Sequence, residues 1–194
     1  MKKLFSEFRA ALGATLVLAL VCCGAYPLIV TLIAQGVFPD QANGSLITDK
    51  EGNVHGSRLL GQPFSGECYF HSRPSAAGAV GYDAASSSGS NLGPTSQKLH
   101  DAIKERVAAY RTVNGLAADA PVPADAVTAS ASGLDPHISP RNAELQINRV
   151  ARARGLGVEA VRTLVEKHTE GPTLGILGES TINVLLLNRS LDGL

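Results

Sequence analysis

AALGATLVLALVCCGAYPLIVTLIA, residues 10–34, decides how the rest of the chain is read. The run holds no Asp, Glu, Lys, Arg or His. At about 1.5 Å per residue, a helix of that length crosses a hydrocarbon layer about 30 Å thick. Lys2, Lys3 and Arg9 precede it against Glu7, whereas Asp40, Asp49, Lys50 and Glu51 are the first charges beyond it. The positive-inside rule therefore places residues 1–9 in the cytoplasm, residues 10–34 across the membrane and residues 35–194 outside. A cleaved signal peptide shares the basic start, but its apolar core is about 7–15 residues long, shorter than this run. A lipoprotein is disfavoured because Val21, not a small residue, precedes Cys22. Gly13, Gly24 and Ala25 permit close helix packing, and Pro27 reads as a kink relieved by neighbouring groups or fitted to partner helices.

The remaining length is enough for one domain with its own core. Removing Lys2, Lys3 and Arg9 from the 17 basic residues and Glu7 from the 17 acidic ones leaves 14 and 16 from Gln35 onward. That balance lacks the electrostatic footprint of a nucleic-acid binder. Cys22 and Cys23 lie in the apolar run, so Cys68 stands alone and no disulfide forms within the domain. With no Trp and few other aromatics, the core rests on Leu, Val, Ile and Ala.

Along the domain, Gly36–Asn43 with Pro39 forms a juncture at which the membrane helix stops. Ser45–Ile47, Val54–Leu60 and Cys68–His71 are expected as short strands, the first two flanking the turn Asp49–Gly52. Residues 73–95 read as a long polar loop. Thr95 is expected to cap a helix bearing Leu99, Ile103, Val107 and Tyr110 on one stripe, ended by Asn114–Gly115. One helical turn over Ala124–Thr128 and a small-residue loop, Ala129–Pro136, follow. Ser139–Pro140 then supplies a cap followed by proline at the first helical position. The helix it opens buries Ala143, Ile147, Val150 and Ala151 and stops at Gly155; a second, over Gly157–His168, buries Val161, Leu164 and Val165. Thr181–Leu186 alternates as a half-buried strand does. The expectation is an α+β fold: a single N-terminal transmembrane helix, then one extracytoplasmic domain with a small β-sheet and three or four helices.

Few residues point to catalysis. VARARGLGVEAVRTLV has the outline of a helix-turn-helix, but the neutral charge and external placement favour a packed helical hairpin with solvated arginines 149, 152, 154 and 162. The five histidines show no HxxxH or HExxH spacing and there is no CxxC, so no metal site is expected. Asp135 is expected to cap a turn beside His137, and Glu67, Asp83 and Asp135 to be solvated carboxylates. No G-x-S-x-G elbow or P-loop occurs, which leaves an exported hydrolase built from Ser130 or Ser132 with His137 and Asp135 as a remote alternative. Ser88–Gly89–Ser90–Asn91 has the makings of a backbone nest for an anion, although such loops are usually turns.

Read as words, SRPSAAG (72–78), SSSGSNLGPTS (86–96), PVPADAVTASASGLDPHISP (121–140), NRVARARG (148–155), HTEG (168–171) and LGILGESTINVLLLN (174–188) resemble the C subunit of the Kdp potassium-transporting ATPase over nearly the whole chain. The resemblance implies an accessory subunit of a bacterial inner-membrane complex with a channel-like A subunit, a P-type ATPase B subunit and a small F subunit. The residues themselves lead to the expectation of no catalytic residue, and the resemblance implies no phosphorylated aspartate here; potassium is cargo of the complex. It also implies a catalytic chaperone that raises ATP affinity, ATP being the one cofactor suggested, at a loop comprising Ser87, Ser88, Gly89, Ser90, Asn91 and Gly93. Ser90 stands where relatives commonly have a second glycine, which weakens that motif. Ser130, Ser132, Gly133, Asp135 and His137 form a second loop suited to partner contact. Since ATP is cytoplasmic and the charge flank places the domain outside, a structural role in assembly is expected over nucleotide binding.

Overall fold

The protein is described by a computed structural model that covers residues 2–193. The chain divides into two compact units, one ending at Val54 and the other beginning at His55.

The first unit is dominated by a helical rod from Lys3 to Val37 whose apolar 18-residue window has a mean hydropathy of 2.5 and no buried residue. The run at residues 10–34 lies inside it. Within the rod, α1 (Lys2–Ala19) leads into a π-helical stretch, Leu20–Ala25, and then into α2 (Tyr26–Val37). The π turn holds Gly24 and Ala25 and immediately precedes Pro27, while Gly13 lies within α1. The Tyr26 N–H donates to Val21 O, a span of five residues. This widened turn is how the backbone accommodates a residue with no N–H to give.

Helix termination comes slightly later than expected, since Gly36 is still helical and the break falls at Phe38. Pro39 then opens a four-residue helix, α3 (Pro39–Ala42), in the expected juncture, because a proline fits the first helical position and cannot continue the preceding helix. Strand β1 occupies Leu46–Thr48, one residue beyond the expected start, because Ser45 has φ +50 and is not extended. The turn after it is closed by Asp49, whose carboxylate accepts from the Asn53 backbone N–H at 2.7 Å and from its side chain at 2.9 Å.

The second unit holds the core. Strand β2 (Val54–Ser57), at the boundary, is shorter than the expected Val54–Leu60, since the Ser57 hydroxyl and carbonyl take the N–H groups of Leu59 and Leu60 and turn the chain. Helix α4 (Gln97–Asn114) has Ser96, not Thr95, at its N-terminal cap position, with no side-chain cap bond, and Gly115 with φ +63 at its C-terminal one. A 3-10 turn over Ala124–Ala126 precedes β3 (His137–Ile138). Helix α5 (Pro140–Arg154) begins as expected, with Ser139 Oγ accepting from the Asn142 N–H, and stops at Gly155. Helix α6 (Val158–Lys167) follows, then β4 (Thr169–Glu170), β5 (Thr181–Asn183) and α7 (Val184–Asp192).

β5 is the central strand of an antiparallel sheet ordered β3-β5-β4, pairing Ile182 with Ile138 on one side and with Thr169 on the other. Helices α5 and α6 pack on each other, and α7 follows directly from the central strand. Between them lie Ile138, Ala143, Ile147, Val150, Ala151, Val161, Val165, Ile182, Val184, Leu187 and Leu191, joined by one fully buried aromatic, Phe70. Burying each Ile, Leu or Val contributes about 1.5–3 kcal/mol.

Three expectations are corrected here. Thr181–Leu186 is a strand only to Asn183, because the Asn183 Oδ1 accepts from Leu186 N and caps α7. Cys68–His71 is not a strand. Its backbone is paired instead with side chains: Phe70 N–H and C=O bond to the Asn188 carboxamide at 2.8 and 2.9 Å, and the His71 N–H donates to Gln146 Oε1 at 2.7 Å. Finally, the arginines are not uniformly solvated. Arg149 is buried, and Arg154 lies between Cys68 O, Leu191 O and Asp192.

A candidate functional site built from three loops

The two polar loops singled out in the sequence, 86–93 and 129–137, meet in space, and the segment 73–78 joins them. Ser87 Oγ donates to Ser132 O and Ser88 Oγ to Ala76 O, both at 2.9 Å. Ser75 ties the third side: its hydroxyl donates to Gly133 O at 2.6 Å and accepts from the Tyr82 and Ala77 N–H groups. Two glycines allow the approach. Gly133 has φ +69, and a Cβ there would stand 2.6 Å from Ser88 O and 2.7 Å from Ala77 N. A Cβ on Gly89 would stand 2.9 Å from Ala131 O. Side chains at either position would prise the loops apart.

Asp135 anchors the surface. One carboxylate oxygen accepts from Arg73 Nη1 at 2.8 Å; the other accepts from the His137 backbone N–H at 3.0 Å and lies 3.2 Å from His137 Nδ1. The carboxylate is half-buried, not solvated as expected. Burial alone would push its pKa up, but the hydrogen bonds from His137 and Arg73 outweigh that and hold it below the ordinary aspartate value. The expected turn cap at Asp135 is therefore present, and it is also an ion pair. Tyr82, at φ +59, hydrogen-bonds through its hydroxyl to Arg73 O, and burial raises its pKa.

Ser130 and Ser132 turn inward to their own loop, accepting from the N–H groups of Gly133 and Leu134 at 2.9 and 3.1 Å. Neither hydroxyl is directed to His137 by these bonds. In the 86–93 loop, Ser87 and Ser88 are committed to carbonyls, Ser90 and Asn91 are exposed, Asn91 has φ +50, and Gly93 has open space around it. Beside these loops is an open cleft of about 670 Å³ bordered by Leu59, Leu60, Arg73, Ser87, Ser130 and Asp135. Its walls are mixed in character, suited to a partner surface more than to a small apolar ligand.

A partly buried polar chain joins α4, the 3-10 turn and α5, and was missed from the sequence. Asp125 accepts from the N–H and hydroxyl of Ser139 and from Asn142 Nδ2. Asn142 Oδ1 accepts from Tyr110 Oη and Gln146 Nε2. Gln146 Oε1 accepts from Arg149 Nη2, and Arg149 Nε donates to Asn114 Oδ1. Burial lowers the Arg149 pKa from its usual value and raises that of Tyr110. The only hint in the sequence was the run of amides and arginine at Asn142, Gln146 and Arg149, at spacings that put them on one helical face with Ala143, Ile147 and Val150.

The amino-acid sequence matches known proteins along nearly its whole length. Residues 8–193 match the family model KdpC, described as the K+-transporting ATPase c chain. The potassium-transporting ATPase KdpC subunit of Sorangium cellulosum is 56% identical over 190 residues, spanning 98% of this chain and 99% of that protein. That of Nitratidesulfovibrio vulgaris is 55% identical over 186 residues, spanning 96% and 93%. That of Mycobacterium tuberculosis is 54% identical over 188 residues, spanning 97% and 98%. With a match that extends from the apolar helix through the three loops to α7, the chain belongs to the KdpC family, the c chain of potassium-transporting ATPases.

Proposed function

We propose that this chain is a non-catalytic accessory subunit of a high-affinity, ATP-driven potassium uptake complex in a bacterial inner membrane. The apolar run over residues 10–34 anchors it with residues 1–9 in the cytoplasm, and residues 35–194 lie outside. There the three-loop surface rests on the channel-like potassium-binding subunit and stabilises its assembly with the P-type ATPase subunit and a small fourth subunit. One observation carries this reading: the hydroxyls of Ser87 and Ser88 are used to join the loops into one continuous surface. A phosphate site built from these side chains would need hydroxyls free to donate outward, whereas both donate to main-chain carbonyls.

The test is topology. A reporter active only outside the cytoplasm, fused after Leu194, should be active in cells that express the whole complex. A silent reporter would overturn the external placement and restore the alternative, in which this subunit raises the ATP affinity of its partner through the loop at Ser87–Asn91.

A further inference from the structure

Between β4 and β5 the chain makes a tight bend, Pro172–Gly178, whose backbone is closed on itself. Thr173 and Leu177 exchange both N–H···O bonds at 2.9 and 3.0 Å, and the Gly175 N–H donates to Pro172 O at 2.9 Å. Leu174 has φ +56, the left-handed region that a branched aliphatic residue rarely adopts, with Gly175 at φ +78 and Gly178 at φ +87 beside it. This fixed backbone presents three aliphatic side chains outward: Leu174 is 85% exposed, Ile176 81% and Leu177 58%. A Cβ at Gly171, Gly175 or Gly178 would point into open space. Single exposed aliphatics are ordinary, but a cluster on a rigid, strained tip marks a surface made to be covered.

The charges around the tip select the occupant. Glu170 and Glu179 flank it, and no Lys or Arg occurs from His168 to Asn188. Interfacial segments that bind anionic lipid are typically rich in Lys or Arg beside their apolar residues, whereas this one carries carboxylates. We propose that Leu174, Ile176 and Leu177 form a preorganised plug that seats in an aliphatic pocket, with Lys or Arg at its mouth, on another subunit of the same potassium-transporting ATPase. The inference rests on the reading of the chain as a docked accessory subunit and names a contact separate from the three-loop surface. Because the loop is already closed, seating it orders little further chain.

The experiment uses the full complex, expressed with all subunits, carrying a photo-crosslinking amino acid at position 176 or, separately, at exposed position 90. Irradiation should join position 176 covalently to another subunit. Leu174→Asp, and independently the pair Glu170→Lys with Glu179→Lys, should each lower that yield by about tenfold, the loss typical of an interface anchor. All three substituted positions are exposed, so thermal unfolding of the chain should be unchanged. Adducts at position 176 only to lipid, only to a second copy of this chain, or absent altogether would overturn the plug. If position 90 still reaches a partner subunit in that case, the accessory role stands without it; if neither position does, both fail.

Discussion

Arg149 donates to three main-chain carbonyls, Gly66, Glu67 and Tyr69, while its other nitrogens reach Asn114 and Gln146. A planar fork with five N–H groups can do this where a lysine cannot. Its charge is felt next door by His71, whose Nε2 lies 3.0 Å from Gly66 O. Burial first, and the Arg149 charge second, lower the His71 pKa below 6.5, with the Gly66 hydrogen bond opposing them. The sign of the consequence follows from linkage. As pH falls below 6.5 the unfolded chain takes up this proton before the folded one does, so the stabilisation is complete above 6.5 and is lost progressively below it. His168, lowered in the same direction by burial and then by Lys167, adds to the effect. His71→Gln keeps a donor for Gly66 and removes the titration. The expected outcome is a smaller drop in the guanidinium chloride midpoint of the detergent-solubilised chain between pH 7 and pH 5 than in the native protein. An equal drop in both would exclude His71 as its source.

At the scale of elements, Asn183 closes a strand and opens a helix in one step. Its Oδ1 accepts from Leu186 N at 3.2 Å, and its Nδ2 donates to Arg58 O at 2.8 Å. Asn183→Ala should therefore cost about 1–3 kcal/mol in the unfolding free energy of the full chain, a lost cap plus an orphaned carbonyl. Asn183→Asp, which keeps the acceptor but not the donor, should fall between, and denaturant titration of the three proteins measures the order. This residue also shows where the sequence was ambiguous. Ile182, Val184 and Leu186 alternate as a strand would, while Val184, Leu185, Leu187, Asn188 and Leu191 fit a helix; only the three-dimensional position of Asn183 decides between the periods. Ser139–Pro140 was legible because capping is local, with acceptor and donor three residues apart. The 68–71 segment was not, since its distant hydrogen-bond partners are isolated amides and arginines on α5 and α7, and no local periodicity announces them. The same reason hid the candidate site: both loops could be picked out by composition, but their union depends on Gly133 and Gly89 meeting chain more than 40 residues away, as the Ser87–Ser132 separation of 45 shows.

For the molecule as a whole, the apolar helix, expected over residues 10–34 and found within the longer rod 3–37, and the α+β character could be read directly, because apolar length and amphipathic period survive in any context. What closes the second unit is different in kind. Its final helix is bound to a segment more than a hundred residues earlier: Asn188 holds Phe70, Tyr69 Oη reaches Asp192, and Arg154 bridges Cys68 O, Leu191 O and Asp192. Leu187 and Leu191 fill the core beneath, each about 1% exposed or less. These contacts form last in any vectorial synthesis, and they carry little redundancy, since the 68–71 backbone has no strand neighbour to fall back on. Deleting residues 191–194 removes the Leu191 side chain, the Asp192 carboxylate and the carbonyl that Arg154 uses. Loss of a buried leucine alone costs about 2–5 kcal/mol, comparable with much of the stability of a domain this size. The truncated full-length-anchor protein should therefore be cut rapidly within residues 55–190 by a protease that leaves the native chain intact. The core mechanism singles out Leu191: Leu191→Ala should open the same sites more slowly, whereas Asp192→Asn, which spares the core, should stay close to native. A truncation as resistant as the native chain would show that the earlier segment is held without α7.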